Sequence, residues 1–130
     1  MKGIWRLAFL VLAVSAAGGS ANAQQRIALK SGESVDLGPV YWVAQCRSIM
    51  VGLPSVEILE GPPDISLAIK EGNVLPRQQH CAQPVAGGTL VISAKDVTEP
   101  LQTKLTYRLK YKTTDGERVR GGIYNLSLYP

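Results

Sequence analysis

Residues 105–112 read Leu-Thr-Tyr-Arg-Leu-Lys-Tyr-Lys. Leu105, Tyr107, Leu109 and Tyr111 alternate with Thr106, Arg108, Lys110 and Lys112. Successive side chains of a β-strand point to opposite faces, so this period of two predicts a strand with one apolar and one cationic face. Residues 113–116, Thr-Thr-Asp-Gly, carry turn chemistry, and residues 117–129 are predicted to return beside the first strand. A two-residue loop of Asp115 and Gly116 would pair Tyr111 with Arg120 and mix the faces. A three-residue loop, Thr114-Asp115-Gly116, pairs Tyr111 with Val119 and Lys112 with Arg118, and supplies a glycine where a left-handed residue is needed. Because a slip of one residue moves every side chain to the other face, the second register is the expected one. Further on, the apolar phase shifts from Val119 and Ile123 to Tyr124, Leu126 and Leu128. A bulge at Gly121-Gly122 is expected to absorb the extra residue.

Working outward, the chain is a series of short strand-like runs punctuated by Gly, Pro and Asp. Residues 26–30 form a first run, with 35–37 continuing the same edge before Gly38-Pro39 turns the chain. Residues 40–46 follow, with Val40, Trp42, Ala44 and Cys46 on one face and 49–51 as an extension. Residues 56–59 end at Gly61-Pro62-Pro63. Ile65, Leu67 and Ile69 alternate until Glu71-Gly72-Asn73 closes that run. Residues 74–87 are polar and broken by prolines, as in a long loop, and 89–94 is a continuous apolar run of the kind found in a strand buried on both faces. No window of 11 residues or more has a helical period. About seven strands in one small domain predict an all-β, two-sheet antiparallel sandwich.

The chain has 130 residues, and its front differs from the rest. Lys2 and Arg6 precede an apolar stretch over 7–17, and Ala21-Asn22-Ala23 offers small residues at a cleavage point. That order is a secretory signal peptide, expected over 1–23, and the stretch is shorter than the roughly 20 residues that span a bilayer. The single mature domain is then 24–130, periplasmic or secreted, with no transmembrane segment. Of the 14 lysines and arginines, Lys2 and Arg6 leave with the signal, so 12 face 10 acids and the formal net charge falls from +4 to +2. General basicity therefore names no partner. Both cysteines, Cys46 and Cys81, lie in the exported part, where two thiols pair.

With a paired C-terminal hairpin, Trp42 and a disulfide, the chain resembles the immunoglobulin-like β-sandwiches of exported bacterial proteins. It departs from antibody-type domains, because no cysteine lies two residues after Tyr107 and because Trp42 precedes Cys46 on the same strand. The Cys46–Cys81 bond is accordingly expected to pin the 74–87 loop to a strand.

Site chemistry is sparse. His80 is the sole histidine, beside a bridged cysteine and without a nucleophile motif, so no catalytic residue, metal ligand or cofactor is expected. In the chosen register Lys104, Arg108, Lys110, Lys112, Arg118 and Arg120 share one strand face. Lys110 then faces Arg120 and Lys112 faces Arg118. Like charges opposite one another cost stability, which an anionic partner would offset; the other reading of the same cations is a solvated outer face with Glu117 or acids of other strands nearby, guarding a strand edge. The expected function is a non-enzymatic binding module for an envelope protein or an anionic surface ligand. Nucleic acid fits poorly, because Tyr107 and Tyr111 point away from the cations. A fimbrial-pilin-like subunit, suggested by the penultimate Tyr129, and a small exported inhibitor using the 77–84 loop are the alternatives.

Overall fold

The computed structural model describes residues 25–77 and 80–130. The signal peptide expected over 1–23 lies outside the described residues. Nine strands follow in order: β1 (Gln25–Lys30), β2 (Ser34–Val40), β3 (Val43–Ala44), β4 (Arg47–Ser48), β5 (Ser55–Glu60), β6 (Ile65–Val74), β7 (Val85–Ala94), β8 (Leu101–Thr113) and β9 (Gly116–Tyr129). They form a four-stranded sheet in the order β1-β9-β8-β5, a three-stranded sheet β2-β7-β6 and the small hairpin β3-β4. Every pairing is antiparallel except β1 with β9, which run parallel from Gln25↔Tyr124 to Lys30↔Tyr129. The fold is all-β, with no helix among the described residues and therefore none long and apolar enough to cross a membrane.

The inner faces of the two larger sheets supply two buried clusters, bridged by half-buried Leu37 and Leu67, in which period-two alternation translates directly into burial. Leu105 and Leu109 of β8, Leu126 and Leu128 of β9 and Leu29 of β1 meet Leu90, Ile92 and Ala94 of β7 and Ile65 of β6. Each of the leucines and isoleucines stabilises the fold by roughly 1.5–3 kcal/mol when withdrawn from water. Over 89–94 of β7 the inward positions are buried while the outward ones are half-buried. The apolar run over 89–94 is thus the centre of the three-stranded sheet and is fully covered on one face only.

Several boundaries differ from expectation. Residues 35–37 do not continue the first edge: the turn at Ser31 and Gly32 carries the chain from one sheet to the other. Gly38 and Pro39 do not turn the chain. They lie within β2, where Asp36 pairs with Val91 and Gly38 with Leu90, leaving Leu37 as an extra residue in a bulge. Gly38 has φ of 147°, a conformation that side-chain-bearing residues rarely adopt. No strand spans 40–46. β2 ends at Val40, and Gln45 and Cys46 form the two-residue turn between β3 and β4, both with positive φ. Residues 49–51 extend the edge beside β8, the Val51 amide donating to the Lys112 carbonyl and the Thr114 amide to the Ile49 carbonyl.

The Cys46–Cys81 disulfide is formed, with a Cα–Cα distance of 5.2 Å across 35 residues of sequence. It ties the β3–β4 turn to the connection between β6 and β7. A closed loop of that length stabilises the fold by roughly 4 kcal/mol in the chain-entropy account.

Candidate ligand-binding cleft

The hairpin of β8 and β9 decides where the cations go. Its loop is Thr114-Asp115, with Thr113 opposite Gly116. Thr113 Oγ1 donates to the Gly116 carbonyl at 2.7 Å and accepts from the Asp115 amide at 3.2 Å, which closes the turn one residue earlier than expected. Tyr111 therefore pairs with Arg118, not Val119, and Lys112 pairs with Glu117, not Arg118. The same register runs unbroken to Leu101↔Leu128, so there is no bulge at Gly121-Gly122. Matching apolar faces across the hairpin would require an inward Val119. Val119 and Ile123 face outward, 52% and 45% exposed, while Arg118 and Arg120 take inner-face positions beside Tyr111 and Leu109.

The six predicted cations are accordingly split. Lys104, Arg108, Lys110 and Lys112 occupy alternate positions on the outer face of β8. There Arg108 is opposite Glu57 of β5 and donates to its carboxylate at 2.7 Å. That hydrogen bond, and then the guanidinium charge, hold the Glu57 carboxyl below its usual range. Lys112 faces Glu117, Lys110 lies between Ser55 and Val119, and Lys104 is opposite Asn125. The expected like-charge pairs do not form, so the outer face needs no anionic partner to offset them.

Arg118 and Arg120 project from the other side of β9. The Arg120 guanidinium carbon stands 4.1 Å from the centroid of the Trp42 ring, a cation–π contact. Trp42 follows the end of β2, its carbonyl accepts from the Ile49 amide, and its ring packs 5.2 Å from that of Tyr111. Two further tyrosines, Tyr107 and Tyr124, stack at 5.7 Å with 14° between their planes. Tyr107 lies across the sheet from Gly122, and a Cβ at residue 122 would come 2.6–2.8 Å from the Tyr107 ring and hydroxyl. Glycine is what lets the ring lie flat over the neighbouring strand.

Arg120, Tyr107 and Tyr124 border an open cleft of about 200 Å³ that the bulged end of the edge strand β2 also lines. Pro39, Tyr41, Arg77, Tyr107, Arg120 and Tyr124 line it, with Leu90 and Leu109 at the base. The Arg77 amide donates to the Tyr41 hydroxyl at 2.8 Å, which fastens the chain after β6 to the end of β2. Burial, followed by the proximity of Tyr124 and Tyr111, pushes the Tyr107 phenol up to about 12. Burial also raises Tyr111, although Arg120 opposes the shift. These phenols are therefore neutral at ordinary pH, and the cleft offers hydroxyls and two guanidinium groups. The one ion pair among the described residues is Arg108–Glu57, which leaves Arg120 and Arg77 without a carboxylate within 4.0 Å.

Of the six predicted site residues only Arg120 borders this cleft. Tyr41, Trp42, Arg77, Tyr107 and Tyr124 were missed as site residues, although Tyr107 was placed correctly on the inner face. Their signal was compositional: four of the five tyrosines, and the single tryptophan beyond residue 23, gather around one arginine. His80 lies elsewhere, with φ of 74°, beside a wider depression of about 590 Å³ that the disulfide also borders. Among the described residues no three His, Cys, Asp or Glu side chains gather as metal ligands. No family model, curated protein or solved structure matches the chain.

Proposed function

We propose that this is an exported, non-catalytic binding module on an immunoglobulin-like sandwich, and that its ligand is anionic and enters the Arg120 cleft. Export rests on the signal-peptide pattern of 1–23 and agrees with the disulfide. The immunoglobulin-like reading rests on the strand orders β1-β9-β8-β5 and β2-β7-β6, with a parallel first and last strand. The observation that carries the site is a guanidinium held against Trp42 beside a tyrosine-lined cleft, with no carboxylate within 4.0 Å of it among the described residues. A binding role suits the cleft better than catalysis, because its lining holds no histidine, carboxylate, cysteine or lysine to act as general acid or base. The pilin-like alternative calls for an empty strand position beside β8, and β9 occupies that position over the whole length of β8.

The test is retention on columns carrying immobilised carboxylate, sulfate and phosphate polymers. Arg120→Glu should lose retention on at least one of them, and Lys110→Glu on the outer face should keep it. The reverse pattern moves the site to the outer face. Retention unaffected by either change removes the anion-binding reading.

A further inference from the structure

We infer that the ligand of the cleft is a hexuronic acid residue, a six-membered sugar ring bearing one carboxylate. The inference rests on the anion-binding reading above and narrows it to a ligand class. Size is the first argument. At about 200 Å³ the cleft is below the roughly 300 Å³ at which drug-sized sites begin, and it suits a single ring. It is also open to solvent, so the rest of a saccharide chain has a way out. The second argument is the donor set. Trp42 holds the Arg120 guanidinium against one face, and a guanidinium fork matches a carboxylate with two parallel N–H···O bonds. Arg77 borders the same cleft as a second cation. The third argument is what surrounds the charge. Tyr41, Tyr107 and Tyr124 combine ring surface for the C–H face of a sugar with hydroxyls for its hydroxyl groups, and Tyr107 is held neutral.

An acidic peptide is disfavoured by the wall it would have to follow. Extended peptides bind by adding to a strand edge. The edge bordering this cleft is β2, where the ladder shifts register at Gly38 and where Pro39 has no amide hydrogen to give.

The experiment is isothermal titration of the purified protein with trigalacturonate, galacturonate, the neutral galacto-trisaccharide, inorganic phosphate and hexaglutamate. Trigalacturonate is expected to bind, and the neutral trisaccharide at least tenfold more weakly. Galacturonate alone should retain binding if one residue fills the cleft, and its loss with the trimer retained would overturn the single-ring assignment. Arg120→Gln should lower trigalacturonate affinity at least tenfold, and Lys110→Glu less than twofold. Arg120→Lys keeps the charge but not the fork; its affinity should also fall at least tenfold, so the result stands even if the glutamine variant folds poorly. Equal binding of acidic and neutral trisaccharides would overturn the uronate assignment. So would Arg120-dependent binding of phosphate or hexaglutamate without binding of galacturonates, but the anion-binding reading would then survive. If Arg120→Gln alters the binding of none of these anions, both readings fail.

Discussion

Residue by residue, the site depends on a missing side chain as much as on the ones present. Tyr107 can lie over Gly122 because residue 122 has no Cβ, and it thereby meets Tyr124. Gly122→Ala should push the ring out of its stack at a cost of roughly 1–3 kcal/mol, as crowding in packed regions does. Alkaline titration reads the same contact. The fold favours the neutral Tyr107 phenol, so its stabilisation is complete below the ordinary tyrosine value of 10.0 and is lost as pH rises through about 12. Tyrosinate absorbance should include a group ionising near pH 12, and Gly122→Ala should lower the pH at which that group ionises. No late-ionising tyrosine in the unsubstituted protein would contradict the packing. Little of this was legible beforehand. The inward phase of Tyr107, Leu109 and Tyr111 could be read from spacing. Nothing local in the sequence brings Trp42 to Arg120, because that contact is made between separate parts of the fold.

Among the elements, the terminal hairpin was recognisable and its register was not. Its strands, turn region and apolar face on β8 follow from alternation and from Thr-Thr-Asp-Gly. The register was argued from matching apolar faces, a rule that holds where both faces of the pair have a fixed character. Here β9 changes character along its length: inner positions are Leu128, Leu126 and Tyr124 at one end and Arg120 and Arg118 at the other. The side chain of Thr113, bonding across the turn, settles the matter locally. Cysteine pairs provide a direct check, with the native disulfide left in place. Lys110→Cys with Val119→Cys puts two thiols directly opposite, within disulfide reach, whereas Lys110→Cys with Arg120→Cys puts them on opposite faces. Mild oxidation should close the first pair and leave the second open. The opposite outcome restores the register expected from face matching. The strand β2 offers a second lesson: Gly38-Pro39 looks like a turn in sequence but is absorbed as a bulge, because Pro is tolerated on an edge strand.

At the scale of the whole molecule, class and disulfide were both accessible from sequence, because alternation fixes the core face of each strand and two cysteines allow one pairing. What that bond does was half visible. It holds the connection expected over 74–87, which is shorter because Val74 ends β6 and Val85 begins β7, and it ties that connection to the two-residue turn of a small hairpin rather than to a long strand. Reduction should therefore release a peripheral clasp and leave the two-sheet core cooperative. Urea unfolding with and without reductant should differ by up to about 4 kcal/mol in stability, with a single transition in both cases. Loss of the cooperative transition on reduction would show that the clasp is integral to the core.

The parallel pairing of Gln25–Lys30 with the stretch from Tyr124 to Tyr129 has a consequence in time. The first described strand has no hydrogen-bonded partner in its sheet until the last one exists, since its only ladder neighbour there is β9. Closing a loop that long is entropically slow, and it places this chain among the domains that fold in milliseconds to seconds rather than microseconds. A chain threaded through a membrane from its front end would therefore reach the far side with its first strand unpartnered. For a chain so threaded, the four-stranded sheet would be completed only once β9 had followed β8 across, so the strand order itself would delay its closure.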